Sequence, residues 1–263
     1  MTGLLVAFNG ILGLIFGSFG TVAAWRIPRR ETIVTGRSHC PQCGEMIRAF
    51  DNIPVVSWLL LRGRCRSCGN RIPVRYPLTE LATGALFALS AAKFGWSVET
   101  FVYSAFFWVL VVLTSIDVDH KLLPNRIVYP SFVVGWMGLT AAAIVGEHTD
   151  RLVDAAVGAA IFGGVLFLVS FVGELVYKKT AMGLGDVKLA FVLGTFLGYE
   201  RIALVPMGMF LSFLSGAVLG LVIIKTAGGD GKTEVPFGPF LVLGTVIALF
   251  VGEPMVDWYA GLL

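Results

Sequence analysis

Met182-Gly-Leu-Gly-Asp-Val-Lys188 leads directly into the apolar run Leu189 to Leu197. A carboxylate at the mouth of a hydrophobic helix is costly in lipid, so Asp186 needs a reason to be there. A second one, Asp117, closes the apolar run Phe101 to Ile116. Outward from these two acids the chain reads as a succession of membrane spans. Of its 263 residues 56% are hydrophobic and 14% charged, whereas a soluble domain carries about 25% charged residues. Crossing the hydrocarbon takes about 17 to 25 mainly apolar residues. Such runs lie near 4–25, 78–96, 100–117, 127–146, 152–177, 201–224 and 237–260, with a shorter one at 187–199. The expected fold is an all-α polytopic membrane protein of about eight transmembrane helices.

The run Leu4 to Ala24 has no positive segment before it and is followed by Arg26, Arg29 and Arg30. That polarity is opposite to a cleavable signal peptide, so residues 1–25 read as a retained first span ending in the cytoplasm. Alternating from there, expected cytoplasmic segments hold ten arginines between Arg26 and Arg75, then Lys121, Arg126, Lys178, Lys179, Lys188, Lys225 and Lys232. Outer segments hold only Lys93, Arg151 and Arg201. Seventeen basic residues against three is a strong positive-inside bias. The same alternation puts Asp117 and Asp186 together at the cytoplasmic side.

Residues 26–77 form the one sizeable polar segment, and all four cysteines lie in it. Fifty or so residues bury too little apolar surface to be comfortable alone, so a staple is expected. Cys40-Pro-Gln-Cys43-Gly and Cys65-Arg-Ser-Cys68-Gly have the form of paired zinc knuckles. Two-residue gaps let both thiolates of a pair face one ion, and the following glycine permits the tight turn. Disulfides or free thiols are the bland alternative, and disulfides are disfavoured in a cytoplasmic segment. No clear internal repeat is visible.

For the acids, a helix C-terminus disfavours Asp117, while a helix N-terminus welcomes Asp186 as a cap. Glu174 has an ordinary account in Lys178 one turn on. Glu80, after Pro77, suits a first helical turn, and Asp119 is expected in an aqueous loop with His120 and Lys121. Two neighbouring carboxylates cannot both ionise easily; one holds a proton while the other accepts one from water. Such a pair performs general acid–base hydrolysis of a peptide bond without a metal. Gly183 and Gly185 would let a substrate backbone approach and could form a movable gate. His39, His120 and His148 are scattered, no phosphate-binding loop is present, and the arginine-rich segment suits lipid headgroups better than nucleic acid. A cation transporter using the same two acids and a silent export scaffold are the non-enzyme alternatives.

Several longer stretches point one way: Gly17-Ser-Phe19, Ser38-His-Cys-Pro-Gln-Cys43, Asp51-Asn-Ile-Pro-Val-Val-Ser-Trp58, Leu61-Arg-Gly-Arg-Cys65 and Arg75-Tyr-Pro-Leu-Thr-Glu-Leu81. In the second half, Ile116-Asp-Val-Asp-His120 through Leu123-Pro124, the Met182 to Leu189 segment, and Pro236-Phe-Gly-Pro-Phe240 continue the pattern. Through these the chain resembles the type IV prepilin peptidases, bifunctional GxGD aspartyl proteases of bacterial inner membranes. The resemblance implies catalysis by Asp117 and Asp186, with Gly183, Gly185, Lys188, Pro236, Gly238 and Pro239 supporting the site. It implies type IV prepilins and pseudopilins as substrates, cleaved on the cytoplasmic side, and methylation of the new N-terminus from S-adenosylmethionine, by residues it does not locate. It divides the chain into a first transmembrane helix (1–25), a cytoplasmic four-cysteine zinc domain linked to methyl transfer (26–77) and a transmembrane protease domain (78–263). Two departures stand out. Gly20-Thr21 follows Phe19 where the family often has Leu-Asn, and Asn125 follows Pro124 where it often has Asp. A related protease without methyl transfer, acting on another leader or membrane segment, is the remaining enzyme alternative.

Overall fold

The computed structural model describes residues 2–33, 36, 38–177, 183–227 and 236–261. Met182, which opens the first motif, and Arg37, Lys178, Lys179 and Lys232 of the charge pattern lie outside them. The described chain is helical: α1 (Thr2–Arg26), a short α2 (Val56–Leu60), α3 (Arg75–Phe94), α4 (Val98–His120), α5 (Asn125–Val145), α6 (Arg151–Tyr177), α7 (Leu184–Glu200), α8 (Leu204–Ala227) and α9 (Gly238–Ala260). Eight of these are long and sit where the apolar runs predict them. Six, α1, α4, α5, α6, α8 and α9, are long and apolar enough to cross a membrane. The other two fall short for different reasons: α3 carries Arg75, Glu80 and Lys93, and α7 has only 17 residues.

Two compact units divide between Ile116 and Asp117, within α4. In the first, α1 packs along α3. Small residues let the two backbones close in: a Cβ on Gly13 would lie 2.8 Å from Gly84 Cα, and one on Gly17 2.7 Å from Glu80 Cα. The buried Asn9 Nδ2 donates to Phe87 O (2.6 Å) and Ser104 Oγ (3.0 Å), pinning α1 to both α3 and α4. Each such bond contributes about 1 kcal/mol and fixes register. Trp108 Nε1 adds a bond to Phe16 O (2.8 Å) while its ring stacks on Phe19.

In the second unit α7 is the central helix, packed on α5, α6, α8 and α9. Every residue from Leu189 to Tyr199 except Phe191 is buried. This accounts for its short length: it is surrounded by protein, so its apolar character all round serves a core rather than lipid. Gly158 of α6 fits against Gly198 of α7, where a Cβ would approach Gly198 Cα to 2.8 Å. On α8, the Ser212 hydroxyl donates to Gly208 O (2.7 Å) and Leu241 O (3.3 Å), tying α8 to α9.

Candidate functional site

Three helix ends build the acidic site, all in the second unit. The α4 helix runs to His120 and stops because Lys121 takes a left-handed backbone (φ 52°), with Pro124 soon after. Asp119 is therefore in the last helical turn, exposed, and not in a loop as its neighbours suggested. Asp117, one turn from the end, is buried. Gly183 caps α7 with an extended backbone, which places Asp186 in its first turn, half-buried. Gly185 faces Leu123, whose Cβ would lie 3.1 Å from an added one, so the chain after α4 is held against the start of α7. The third end is α9, where Phe237 is the N-cap and Pro239 occupies the first turn, a position suited to a residue without an N–H.

These ends converge on Gly238. A Cβ there would lie 2.6 Å from Asp117 Oδ2 and 3.6 Å from Asp186 Oδ1, so both carboxylates face the bare α-carbon at the start of α9. Asp117 Oδ2 is buried; the Gly238 backbone N–H lies against the carboxylate but makes no well-formed hydrogen bond to Oδ2. A buried carboxylate oxygen whose bonding capacity is unfilled is a place for water or a substrate group. Asp186 is the third residue of α7 and not its cap: Gly183 holds the N-cap position and no side chain bonds across it, although Asp186 Oδ2 lies 3.3 Å from where a Gly183 Cβ would be. Lys188, one turn into α7, donates to Asn125 Oδ1 (3.0 Å) and lies over the Tyr129 ring at 5.3 Å. The departure at Asn125 thus gives Lys188 a neutral partner at the start of α5. Pro236 and Pro239 are half-buried on either side of Phe237, whose ring packs on Phe213 and Phe240.

The cysteines form a second site, in the first unit. Each Cys-x-x-Cys turn has the same hydrogen bonds. Cys40 N–H donates to Glu45 O (2.9 Å), Gly44 N–H to Cys40 O (2.9 Å), and Ile47 N–H to Ser38 O (2.8 Å). Cys65, Gly69 and Ile72 repeat this onto Asn70 O (2.8 Å), Cys65 O (2.9 Å) and Gly63 O (2.7 Å). Gly44 and Gly69 adopt φ 73° and 71°, which only glycine takes without strain. The lobe is a local duplication, contrary to the absence of a repeat read from sequence. Its signal was there, as Cys-x-x-Cys-Gly-x-x-Ile at residues 40–47 and 65–72. Arg66 joins the halves through both carboxylate oxygens of Asp51 (2.6 and 2.8 Å) and holds that carboxyl below its ordinary range.

All four sulfurs lie within 4.8 Å of one another, and Cys40 Sγ is 3.9 Å from Cys68 Sγ. A tetrahedral zinc with Zn–S of about 2.3 Å sets its sulfurs about 3.8 Å apart. The four are free thiols. Although burial opposes it, the amides of Cys43 and Gln42 and the neighbouring thiols bring Cys40 down to about 7. Cys43, favoured as a thiolate by the Glu45 amide, is nonetheless pushed up to about 11 by desolvation and by Cys40 and Cys68. One thiolate therefore forms readily and opposes the next, a charge conflict that a dication resolves. The donor set could bind a metal such as zinc.

Comparison with known proteins gives both units a relation. Residues 104–221 match the type IV leader peptidase family, and residues 11–94 match the bacterial peptidase A24 N-terminal domain. The chain belongs to the type IV leader peptidase family. Relatives named prepilin leader peptidase/N-methyltransferase are 36% identical in Stutzerimonas stutzeri, over 95% of this chain and 91% of that one. Those of Pseudomonas aeruginosa (35%, over 95% and 91%) and Myxococcus xanthus (39%, over 88% and 67%) carry the same name. No solved structure matches. With six helices among the described residues long and apolar enough to cross a membrane, this leader-peptidase family member is an integral membrane protein.

Proposed function

We propose that the chain removes the short leader of type IV prepilins and pseudopilins with Asp117 and Asp186, at the cytoplasmic side of the inner membrane, and then methylates the new N-terminus. The observation that carries the reading is the meeting of both carboxylates at Gly238. All eight long helices span the membrane in this reading, α7 inside a ring of protein. Residues 26–77 form the cytoplasmic lobe and 78–263 the protease.

In hydrolysis, one carboxylate takes a proton from water as its oxygen adds to the scissile carbonyl carbon. The other, protonated, gives its proton to the carbonyl oxygen. Collapse of the adduct breaks the C–N bond, and the departing amine leaves with a proton. Two like charges this close share protons as a unit, which keeps one acid and one base at the same pH. Gly238 leaves room for the substrate carbonyl, and the Gly183 and Gly185 backbone gives the peptide a flat approach. Cys40, Cys43, Cys65 and Cys68 would hold zinc; four thiolates leave no open coordination position, so the ion acts as a staple. S-adenosylmethionine supplies the methyl group: the amine loses a proton and gains the methyl, and the sulfonium becomes a neutral thioether.

Intact-mass analysis of a prepilin incubated with the purified protein and S-adenosylmethionine tests this. Loss of the leader and gain of one methyl group is expected with the natural chain, and uncut substrate with Asp117→Asn or Asp186→Asn. Cleavage that survives both substitutions would remove the acid pair from the mechanism.

A further inference from the structure

A cavity of about 460 Å³ lies in the first unit, and none of the peptidase residues contributes to it. Ser18, Thr21, Val22 and Trp25 line it from α1, at the spacing of one helix face. Trp58 of α2, Tyr76 and Glu80 of α3, and Cys40 and Cys65 also line it. The volume is that of a cofactor site, which usually spans about 300–1,000 Å³.

Glu80 is the unusual member. Sequence alone suggested a place in a first helical turn after Pro77, yet α3 already starts at Arg75, which puts Glu80 beyond its first turn, and the residue is 8% exposed. Its oxygens are met only by neutral donors, the Val55 N–H (2.7 Å) and the Ser18 hydroxyl, and it has no cationic partner among the described residues. To deliver that N–H, Val55 holds a left-handed backbone (φ 61°), a strained state for a β-branched residue. A buried carboxylate without a counter-charge is costly unless a cation arrives. Arg26, the other buried charge of the wall, is turned to the Thr32 and Gly36 carbonyls (3.1 and 3.4 Å). Arg48, Arg71 and Arg75 are exposed on the lining.

We propose that this cavity is the methyl-donor site, taking S-adenosylmethionine with its sulfonium toward Glu80. The proposal rests on the methyl-transfer reading above. It follows from three features together: a buried anion in want of a cation, aromatic faces that attract a sulfonium and stack an adenine, and rim arginines suited to the donor's carboxylate. The product, S-adenosylhomocysteine, has lost the sulfonium charge and with it this attraction, so the same carboxylate favours donor binding and product exit. Thr21, which departs from the common family pattern, is a wall residue and shapes the pocket without carrying charge.

Equilibrium dialysis of radiolabelled S-adenosylmethionine and S-adenosylhomocysteine against the full-length, metal-loaded protein in detergent tests the site. The natural chain is expected to prefer the donor by about tenfold, the effect of one charge-assisted contact. Glu80→Gln, which keeps an acceptor for the Val55 N–H, should bring that preference close to unity. Val22→Trp should fill the cavity and weaken both ligands at least about tenfold; if its thermal unfolding shifts, Met46→Trp repeats the test from a wall position that is 56% exposed. Undiminished binding in the filled variants would overturn the site, and an unchanged preference in Glu80→Gln would overturn the role of the carboxylate. If the natural chain neither binds the donor nor yields methylated product, the methyl-transfer reading fails first and takes this one with it.

Discussion

In the cysteine lobe, the four sulfurs come from two segments that each carry the same local turn. At the acidic site, Asp117, Asp186 and Gly238 come from three helix ends that are far apart in the chain and meet only through the packing of α7 against its neighbours. The first arrangement is specified over eight residues at a time; the second exists only when a whole unit has folded. A local site can therefore tolerate damage elsewhere and fail when its own turn is altered. A convergent site can be lost through a single added methyl group.

The largest test of that contrast removes charge from the convergent site. Asp117→Asn and Asp186→Asn should each lower leader cleavage by about 10³-fold or more, in the range of general acid–base catalysis, with intact mass as the readout and thermal unfolding little changed. Gly238→Ala comes next. Its Cβ would sit 2.6 Å from Asp117 Oδ2, and displacing the carboxylates by about 1 Å should cost about 10²-fold in cleavage rate. Normal activity in that variant would show that the carboxylates do not work across Gly238.

Removing the zinc proposed for the four cysteines would break the local site instead. Cys40→Ser, or treatment with a strong chelator, should abolish metal measured by mass spectrometry and expose residues 26–77 to protease, while cleavage falls far less than with the acid substitutions. Metal affinity should weaken as pH falls below about 11, where a proton competes for Cys43, and more steeply below about 7, where one competes for Cys40 as well; a flat profile from pH 8 to 6 would contradict it. The smallest effect belongs to Gly44→Ala. A side chain at φ 73° costs about 1 to 2 kcal/mol, which should appear as weaker metal retention with little change in cleavage.

Much of the helical layout was legible because lipid imposes a simple rule on long segments. The eight long helices fall within a few residues of the apolar runs, and six of them are long and apolar enough to cross a membrane. The clustering of the four thiols was legible too, since two residues between cysteines and a glycine after them fix geometry locally, although the wider repeat extends through Ile47 and Ile72. Asp117 and Asp186 were visible as misplaced charges. The sequence surroundings of Glu80 suit an ordinary helix start; only the packing of α1 on α3 and the approach of the Val55 turn bury it. The polar neighbours of Asp119 suit a loop, whereas the helix runs on to His120 before the left-handed Lys121 ends it.

By itself, then, the sequence determined which segments are helices, where four clustered thiols lie and which acids are out of place, because hydropathy, turn chemistry and charge act over short stretches. Only the tertiary structure decided that both carboxylates face Gly238, that Lys188 rests on Asn125, and that a buried Glu80 lines a cavity. Those are meetings of residues from separate elements, and they depend on side-chain packing that no local pattern encodes.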